Sequence, residues 1–203
     1  WATPMDAGLS YENVEFPARD GLRLSGWFIP AANAPAATVI VLHTWAGSRL
    51  GEDATSLLAN ISGALPIDLL RFAHALHTAG YNVLSFDLRN HGQSAGSEAV
   101  TFGLQECNDL LGALDWLQQR GDIDGARVGV VGFSLGANAL LYALPQTTSI
   151  DAAVAVQPTS PSLFARRYAA DLLGPLGTLA LAVTSALYSL SARISLDAVE
   201  PVF

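Results

Sequence analysis

Strand-length apolar runs alternate along the chain with longer segments of helical periodicity. The runs are almost continuously apolar, as in strands that are buried on both faces of a parallel sheet. They occupy residues 37–42, 81–86, 128–131 and 152–156. The intervening segments, with apolar residues at intervals of three and four, are residues 68–78, 103–119 and 137–144. This alternation predicts right-handed crossovers and an α/β fold with a doubly wound, mostly parallel sheet.

A hairpin precedes the first of these runs. Residues 11–16 and 22–28 alternate apolar and polar side chains on either side of the turn Arg19-Asp20-Gly21, which predicts two antiparallel strands. The chain has 203 residues, of which 51% are hydrophobic and 14% charged, so it can bury a sizeable core. We therefore expect one domain over residues 1–203.

The charge balance and the single cysteine exclude several classes of protein. The net charge of −8 argues against a surface that binds nucleic acid. Cys107 is alone, so the chain has neither an internal disulfide nor a cysteine-based zinc site. His74 and His77 lie three residues apart on a predicted helix without a carboxylate that completes a metal pattern, so we expect a surface or packing role. No metal or cofactor is expected.

The pattern Gly-x-Ser-x-Gly occurs twice, at residues 92–96 and 132–136. In a nucleophile elbow, a strand enters this turn and a helix leaves it, and the serine is exposed at the bend. Ser134 meets this condition because it lies between the run at 128–131 and a helical segment. Ser94 follows a polar loop and does not. The alternative for Ser134 is an ordinary turn with a helix-capping serine.

Several motifs in this order resemble the α/β-hydrolase family over nearly the whole chain. His43-Thr44-Trp45-Ala46-Gly47 is similar to the family's His-Gly-x-Gly-Gly oxyanion segment, with Thr44 where glycine is usual. The stretch 87–94 (DLRNHGQS) resembles the loop after the next strand, which explains the second motif match. Glu106, Asp109 and Trp116 fall in a segment similar to the helix before the nucleophile strand.

The resemblance implies a serine hydrolase, of which an esterase is the expected kind. Ser134 is then the catalytic nucleophile, Gly132 and Gly136 are the elbow glycines, and the backbone N–H groups of Leu135 and Trp45 form the oxyanion hole. An apolar plug is the alternative role for Trp45. A peptidase, a thioesterase or an acyltransferase remains open, as does a non-catalytic binding module with a hydrolase-like fold.

The general base and the orienting acid are not evident in the chain. In this fold the acid and then the histidine follow the nucleophile, yet His43, His74, His77 and His91 all precede Ser134. The later acidic residues are Asp151, Asp171, Asp197 and Glu200. Asp151 precedes a strand, and residues 201–203 resemble the start of another strand. We therefore expect a sheet that is incomplete at its C-terminus, an acid and a histidine beyond Phe203, and an inactive isolated chain.

An uncharged segment follows the last predicted strand. Residues 172–192 contain no charged side chain and are flanked by Arg166, Arg167 and Arg193. We predict a helical cap within residues 163–195, which suits an apolar small-molecule acyl substrate. Lipid contact and a membrane span are the alternatives, and a further one is a membrane anchor before Trp1. The expected location is accordingly cytoplasmic or membrane-associated. Residues 47–66 are long for a connection and are predicted to form a flap.

Overall fold

The computed structural model describes residues 2–52, 67–96, 99–123 and 127–201. The strands are β1 Glu12–Pro17, β2 Arg23–Ile29, β3 Thr38–Leu42, β4 Gly51–Glu52, β5 Ile67–Asp68, β6 Asn82–Phe86, β7 Val128–Phe133 and β8 Ala152–Val156. The α-helices are α1 Leu69–Thr78, α2 Cys107–Gln118, α3 Leu135–Ala143, α4 Pro161–Leu173 and α5 Gly177–Ala192. Most of the predicted flap, residues 53–66, lies outside the described residues.

Six strands form one mixed sheet in the order β1-β2-β6-β3-β7-β8. Strands β6, β3, β7 and β8 are parallel, whereas β1 and β2 form an antiparallel hairpin that joins β6 through β2. The predicted doubly wound, mostly parallel sheet with an N-terminal hairpin is therefore confirmed. Strands β4 and β5 form a separate two-stranded sheet.

The sheet separates two apolar cores. Along β3, Ile40 and Leu42 pack into the cluster that contains α2 and α3, whereas Val39 and Val41 pack into the cluster that contains α1. This alternation follows from the two-residue period of a strand. Because both faces are covered, β3 has no polar alternation in its sequence, which is why an apolar run predicted it correctly.

The prediction that residues 152–156 form a strand buried on both faces was wrong. β8 forms, but among the described strands it pairs with β7 alone and lies at the edge of the sheet. Val154 is 52% exposed. Apolar composition predicts a strand but not its position in the sheet, because the position depends on which other strands pair with it.

Helix α2 begins four residues later than the periodicity predicted. The Glu106 side chain accepts hydrogen bonds from the Thr101 hydroxyl at 2.6 Å and from the backbone N–H groups of Thr101 and Gly103 at 2.8 Å each. Gly103 has a φ of +115°, which is outside the helical region. These contacts hold residues 101–106 as a turn, and the helix starts at Cys107.

Two helices, α4 and α5, follow the edge strand and are called the C-terminal helix pair. Gly174, with a φ of +54°, begins the short break between them. Gly177 brings them close, because a Cβ there would lie 2.2 Å from the carbonyl oxygen of Ala169. Residues 161–192 are long and apolar enough to cross a membrane. One stretch of this kind is weak evidence for a membrane span. The predicted cap segment, 163–195, contains most of this pair.

Candidate functional site

Loops from four parallel strands meet at the carboxyl edge of the sheet, where ligands bind in open α/β folds. Residues 43–46 follow β3, residues 87–94 follow β6, Ser134 follows β7 and Gln157 follows β8. The parallel register places Leu42 beside Gly132 and Phe133 beside Val156, so the loops after β3, β7 and β8 are neighbours. The site therefore combines residues that are more than 100 positions apart in the chain.

Ser134 lies at a strained bend between β7 and α3. Its φ of 49° and ψ of −105° are rare for a residue with a side chain. The bend is held by hydrogen bonds from the Ser134 N–H to the Val156 carbonyl at 2.9 Å and from the Asn138 N–H to the Ser134 carbonyl at 2.9 Å. The serine is thus fixed where an inner strand turns directly into a helix.

The two glycines that flank Ser134 are required by close backbone contacts. A Cβ at Gly132 would lie 2.3 Å from the carbonyl oxygen of Gly136, and a Cβ at Gly136 would lie 2.5 Å from the Cβ of Leu42. Neither contact leaves room for a side chain. The glycines allow α3 to pass directly over β3 and β7, which is the geometry that the Gly-x-Ser-x-Gly pattern predicted.

The loop after β3 lies beside the bend. The Gly136 N–H donates to the carbonyl oxygen of His43 at 3.1 Å, which ties this loop to the first turn of α3. Thr44 is buried, and its hydroxyl donates to Glu52 at 3.4 Å. Ala46 adopts a φ of +63°, so the chain turns sharply after Trp45. Thr44 therefore occupies the position where glycine is usual without preventing this turn.

A cavity of about 990 Å³ opens over Ser134. Its wall combines Thr44, Trp45 and Leu135 from the sheet edge with side chains of the C-terminal helix pair. Of the described residues that line it, Glu52 alone carries a charge. Its apolar wall includes Ile67, Phe102, Phe164, Leu172, Leu173, Leu181 and Leu196. The volume is at the upper end of the range for small-molecule sites.

A row of three aromatic rings borders this cavity, and two of them, Trp45 and Phe102, line it. The ring of Phe102 lies 5.7 Å from that of Trp45 and 6.1 Å from that of Tyr188 on α5. The Tyr188 hydroxyl donates to the carbonyl oxygen of Val100 at 2.8 Å, which ties α5 to the same loop. Trp45 is 40% exposed, so its indole contributes to the cavity wall instead of the core.

Asn138, on the first turn of α3, was not singled out by the sequence analysis. It is 1% exposed, and its side chain binds the backbone of Phe102 and Thr159, which both line the cavity. The available signal was a polar residue within the apolar helical stretch Ala-Asn-Ala-Leu-Leu. A buried amide in such a stretch needs partners from elsewhere in the fold.

His43 and His91 lie close together beneath the site, with ring centroids 4.9 Å apart. The Leu88 N–H donates to Nε2 of His43 at 2.9 Å, so Nδ1 carries the proton that it donates to the Thr44 carbonyl at 2.7 Å. Burial lowers the pKa of His43 to about 3, and the nearby His91 contributes a smaller part of this shift. Both ring nitrogens are therefore occupied by backbone, and His43 orders two loops.

The buried state of His43 makes stability depend on pH. The unfolded histidine binds a proton below about pH 6.5, whereas the folded one stays neutral to about pH 3. The stabilisation is therefore complete above pH 6.5 and is lost as the pH falls. We expect this group to lower the unfolding free energy by about 2 kcal/mol between pH 7 and pH 5. Urea unfolding at both pH values measures the loss.

The comparison uses two glutamine variants. His43→Gln should be less stable at pH 7 but should lack this part of the pH dependence. His74→Gln replaces an exposed histidine on α1 and should retain the wild-type loss. An unchanged pH dependence in His43→Gln would contradict the assignment of the effect to His43.

Ser94 is part of the loop after β6 and lies away from the cavity wall that the structure describes. Its hydroxyl donates to the Asp87 carbonyl at 2.5 Å and accepts from the Ser25 N–H at 2.9 Å. The carboxylate of Asp87 accepts from the N–H groups of Arg49 and Gln93. The second Gly-x-Ser-x-Gly match therefore has a structural explanation in this hydrogen-bonded loop.

Most of the acidic residues that follow Ser134 in the chain make contacts that stabilise the fold. Asp151 accepts from the Val128 N–H at the amino end of β7, which is the opposite edge of the sheet. Asp171 pairs with Arg167, and Asp197 pairs with Arg166, at exposed positions on or beside the C-terminal helix pair. Among the described residues, no group of three His, Cys, Asp or Glu side chains has the arrangement of a metal site.

Comparisons with known proteins identify the family. A model of the alpha/beta hydrolase fold matches residues 37–191. The uncharacterized protein YfhR of Salmonella typhi is 35% identical over 147 residues, which cover 70% of this chain and 42% of that protein. The chain therefore spans about two-fifths of the length of this curated relative.

Solved structures agree with this result. The esterase Pf2001 of Pyrococcus furiosus is 31% identical, with a TM-score of 0.69 over 96% of this chain and 68% of that chain. An acylaminoacyl peptidase of Pyrococcus horikoshii, 20% identical with a TM-score of 0.55 over 78% of this chain and 24% of that chain, shares the fold. Because the family model matches residues 37–191 and the esterase Pf2001 is similar over nearly the whole chain, the chain belongs to the alpha/beta hydrolase fold family.

Proposed function

We propose that the full-length protein is a serine hydrolase that cleaves carboxylic esters through an acyl-enzyme on Ser134. The observation that carries the proposal is the position of Ser134, at a strained strand-to-helix bend that lines a large apolar cavity. Such a bend presents a hydroxyl to a substrate at the edge of the sheet. The 31% identity with an esterase supports ester hydrolysis as the reaction.

In the proposed reaction, Oγ of Ser134 attacks the ester carbonyl carbon while a general base accepts the hydroxyl proton. The carbonyl oxygen becomes an oxyanion that accepts hydrogen bonds from the backbone N–H groups of Leu135 and Trp45. Both residues line the cavity beside Ser134, which supports these roles. The C–O bond to the alcohol then breaks, and the base returns the proton to the alcohol. Water hydrolyses the acyl-enzyme by the same steps.

The proposed base is a histidine that follows Phe203, oriented by an acid that also lies beyond it. In this fold the nucleophile precedes the acid and the acid precedes the histidine. His43 is unsuited to the role because backbone groups occupy both of its ring nitrogens. In the part of the chain that the structure describes, the Ser134 hydroxyl has no side-chain hydrogen-bond partner.

We expect the substrate to be an apolar small-molecule ester. The cavity wall is formed mainly by aliphatic and aromatic side chains, and such a wall favours an acyl chain over a charged group. The C-terminal helix pair supplies Phe164, Leu172 and Leu181 to this wall, which supports its interpretation as a cap. Lipid contact through residues 172–192 stays a prediction, and flotation with liposomes is its measurement.

Two kinds of alternative remain: a peptidase, thioesterase or acyltransferase on the same fold, and a non-catalytic binding module. The likeness to a peptidase concerns the fold, and thioester or acyl-transfer chemistry would use the same nucleophile and oxyanion donors. A non-catalytic binding module would retain the cavity but would lack a reactive serine. Reactivity of Ser134 therefore separates the hydrolase from the binding module.

Covalent labelling of the full-length protein with a fluorophosphonate tests the proposal. Because the chain contains arginine but no lysine, trypsin separates the two motif serines into peptides 90–120 and 128–166. We expect one adduct per protein, on Ser134 in peptide 128–166. The Ser94 peptide provides the internal control. An adduct on Ser94, or no adduct on a folded full-length protein, would refute the assignment.

A further inference from the structure

We propose that Asn138 is a positioning residue that determines which acyl chains the cavity accepts. This inference rests on the proposed ester hydrolysis at Ser134. Asn138 lies four residues after Ser134, on the first turn of α3, and it is almost completely buried. It touches no reacting atom in the proposed chemistry. Asn138 is itself among the residues that line the cavity, but at 1% exposure it acts chiefly through the backbone of two loops that form the cavity wall.

Three hydrogen bonds connect Asn138 to these loops. Its amide nitrogen Nδ2 donates to the carbonyl oxygens of Phe102 at 3.0 Å and Thr159 at 2.9 Å. Its amide oxygen Oδ1 accepts from the Thr159 N–H at 3.0 Å. Phe102 precedes α2 and Thr159 follows β8, so one side chain joins three separate parts of the fold.

The loop at Phe102 needs this support because its backbone is strained. Phe102 has a φ of +51°, and the following Gly103 has a φ of +115°. A Cβ at Gly103 would lie 2.7 Å from the Cβ of Asn138, so the turn packs directly on the asparagine. A strained turn persists only where its surroundings hold it. Asn138 thereby sets the position of the Phe102 ring between Trp45 and Tyr188.

The loop at Thr159 leads directly into the C-terminal helix pair. Thr159 lines the cavity, and α4 begins two residues later at Pro161. Gln157, also in this loop, has a φ of +51°. Asn138 therefore holds the point from which α4 leaves the sheet. Because α4 contributes Phe164 and Leu172 to the cavity, a shift at Thr159 would change the depth of the apolar pocket.

An uncharged amide suits this arrangement better than other side chains of similar size. It supplies two donors and one acceptor, which match the two carbonyl oxygens and the single N–H that face it. Aspartate has the same shape but no donor when ionised, so it would place a carboxylate against two carbonyl oxygens. Asn138→Asp therefore disturbs both loops with the smallest change in volume.

Asn82 provides a matched control. It is also buried, and its side chain accepts from the Ala31 N–H at 2.8 Å and donates to the Ala36 carbonyl at 2.9 Å. It begins β6, at the edge of the sheet opposite the cavity. Asn82→Asp should therefore disturb a comparable hydrogen-bonded network without moving the cavity wall.

The experiment measures kcat and KM of the full-length protein for p-nitrophenyl acetate and p-nitrophenyl octanoate. In Asn138→Asp we expect KM for the octanoate to rise about tenfold, since a displaced cavity wall loses contact with the acyl chain of the substrate. The kcat for the acetate should stay within about threefold of wild type, because the elbow itself is unchanged. Asn82→Asp should keep the wild-type ratio of the two KM values.

Each alternative outcome overturns the inference. The role of Asn138 would be structural only if Asn138→Asp affected both esters equally or left the ratio of the two KM values unchanged. The same conclusion would follow if Asn82→Asp changed this ratio as much as Asn138→Asp does. If Asn138→Asp does not fold, Asn138→Ser is the second variant, and it should raise the octanoate KM to a smaller extent. A failure of Asn138→Ser to fold would likewise assign Asn138 to stability alone. Failure of the proposed function appears differently, as a wild-type protein without a fluorophosphonate adduct on Ser134.

Discussion

Replacing Ser134 with alanine should reduce ester hydrolysis by the full-length protein about 10⁴-fold or more, because it removes the proposed nucleophile. The remaining rate would come from substrate binding and the oxyanion donors alone. The side chain of Ser134 makes no hydrogen bond among the described residues, so we expect the unfolding free energy to change little. Initial rates with p-nitrophenyl acetate, together with urea unfolding, measure both effects.

Ser94→Ala is the matched control, since it changes the serine of the second Gly-x-Ser-x-Gly pattern. Its hydroxyl bonds to Asp87 and Ser25, so its loss should cost about 1 kcal/mol of stability. Hydrolysis should stay within a few-fold of wild type. Wild-type rates in Ser134→Ala, or loss of activity in a folded Ser94→Ala protein, would contradict the assignment of the nucleophile.

Replacing Arg89 with methionine should lower the unfolding free energy by about 3–5 kcal/mol. Arg89 is 2% exposed, and its guanidinium donates to the carboxylates of Asp109 and Asp20. Asp109 is completely buried on α2, so the variant leaves a buried carboxylate without its cation. The midpoint of urea unfolding measures the loss.

Arg167→Met is the control for this prediction. Arg167 forms an ion pair with Asp171 at 3.0 Å, but both side chains are more than half exposed. Its removal should change the unfolding free energy by less than about 0.5 kcal/mol. Similar losses in the two variants would contradict the view that burial is what makes the Arg89 pair important.

The ion pair also explains why the loop after β6 holds its shape. The Arg89 N–H donates to Asp109 at 2.8 Å, and Asp87 accepts from the N–H groups of Arg49 and Gln93. The resemblance of residues 87–94 to a family loop predicted that this segment is structural. The sequence did not predict its anchor on α2, because Asp109 is 20 residues away and no local spacing indicates the contact.

The turn at Ser134 was the most predictable part of the candidate site. Its requirements are local: a strand before the serine, a helix after it, and glycines where the two backbones cross. Residues 128–144 contain all of them, and the structure places Gly132 and Gly136 in contacts that exclude a side chain. The aromatic wall at Phe102 was not predictable in this way, because a positive φ at a phenylalanine has no sequence signal.

The order of apolar runs and helical segments by itself predicted the strands and helices of a mostly parallel α/β fold, the N-terminal hairpin and the bend at Ser134, because these leave a local pattern of periodicity, turn residues and burial on two faces. Only the tertiary structure decided that β8 lies at an edge, that α2 starts at Cys107, and that Asn138 holds Phe102 and Thr159. Each of these depends on partners distant in sequence, and long-range hydrogen bonds and strand pairing leave no periodic pattern in the residues that make them.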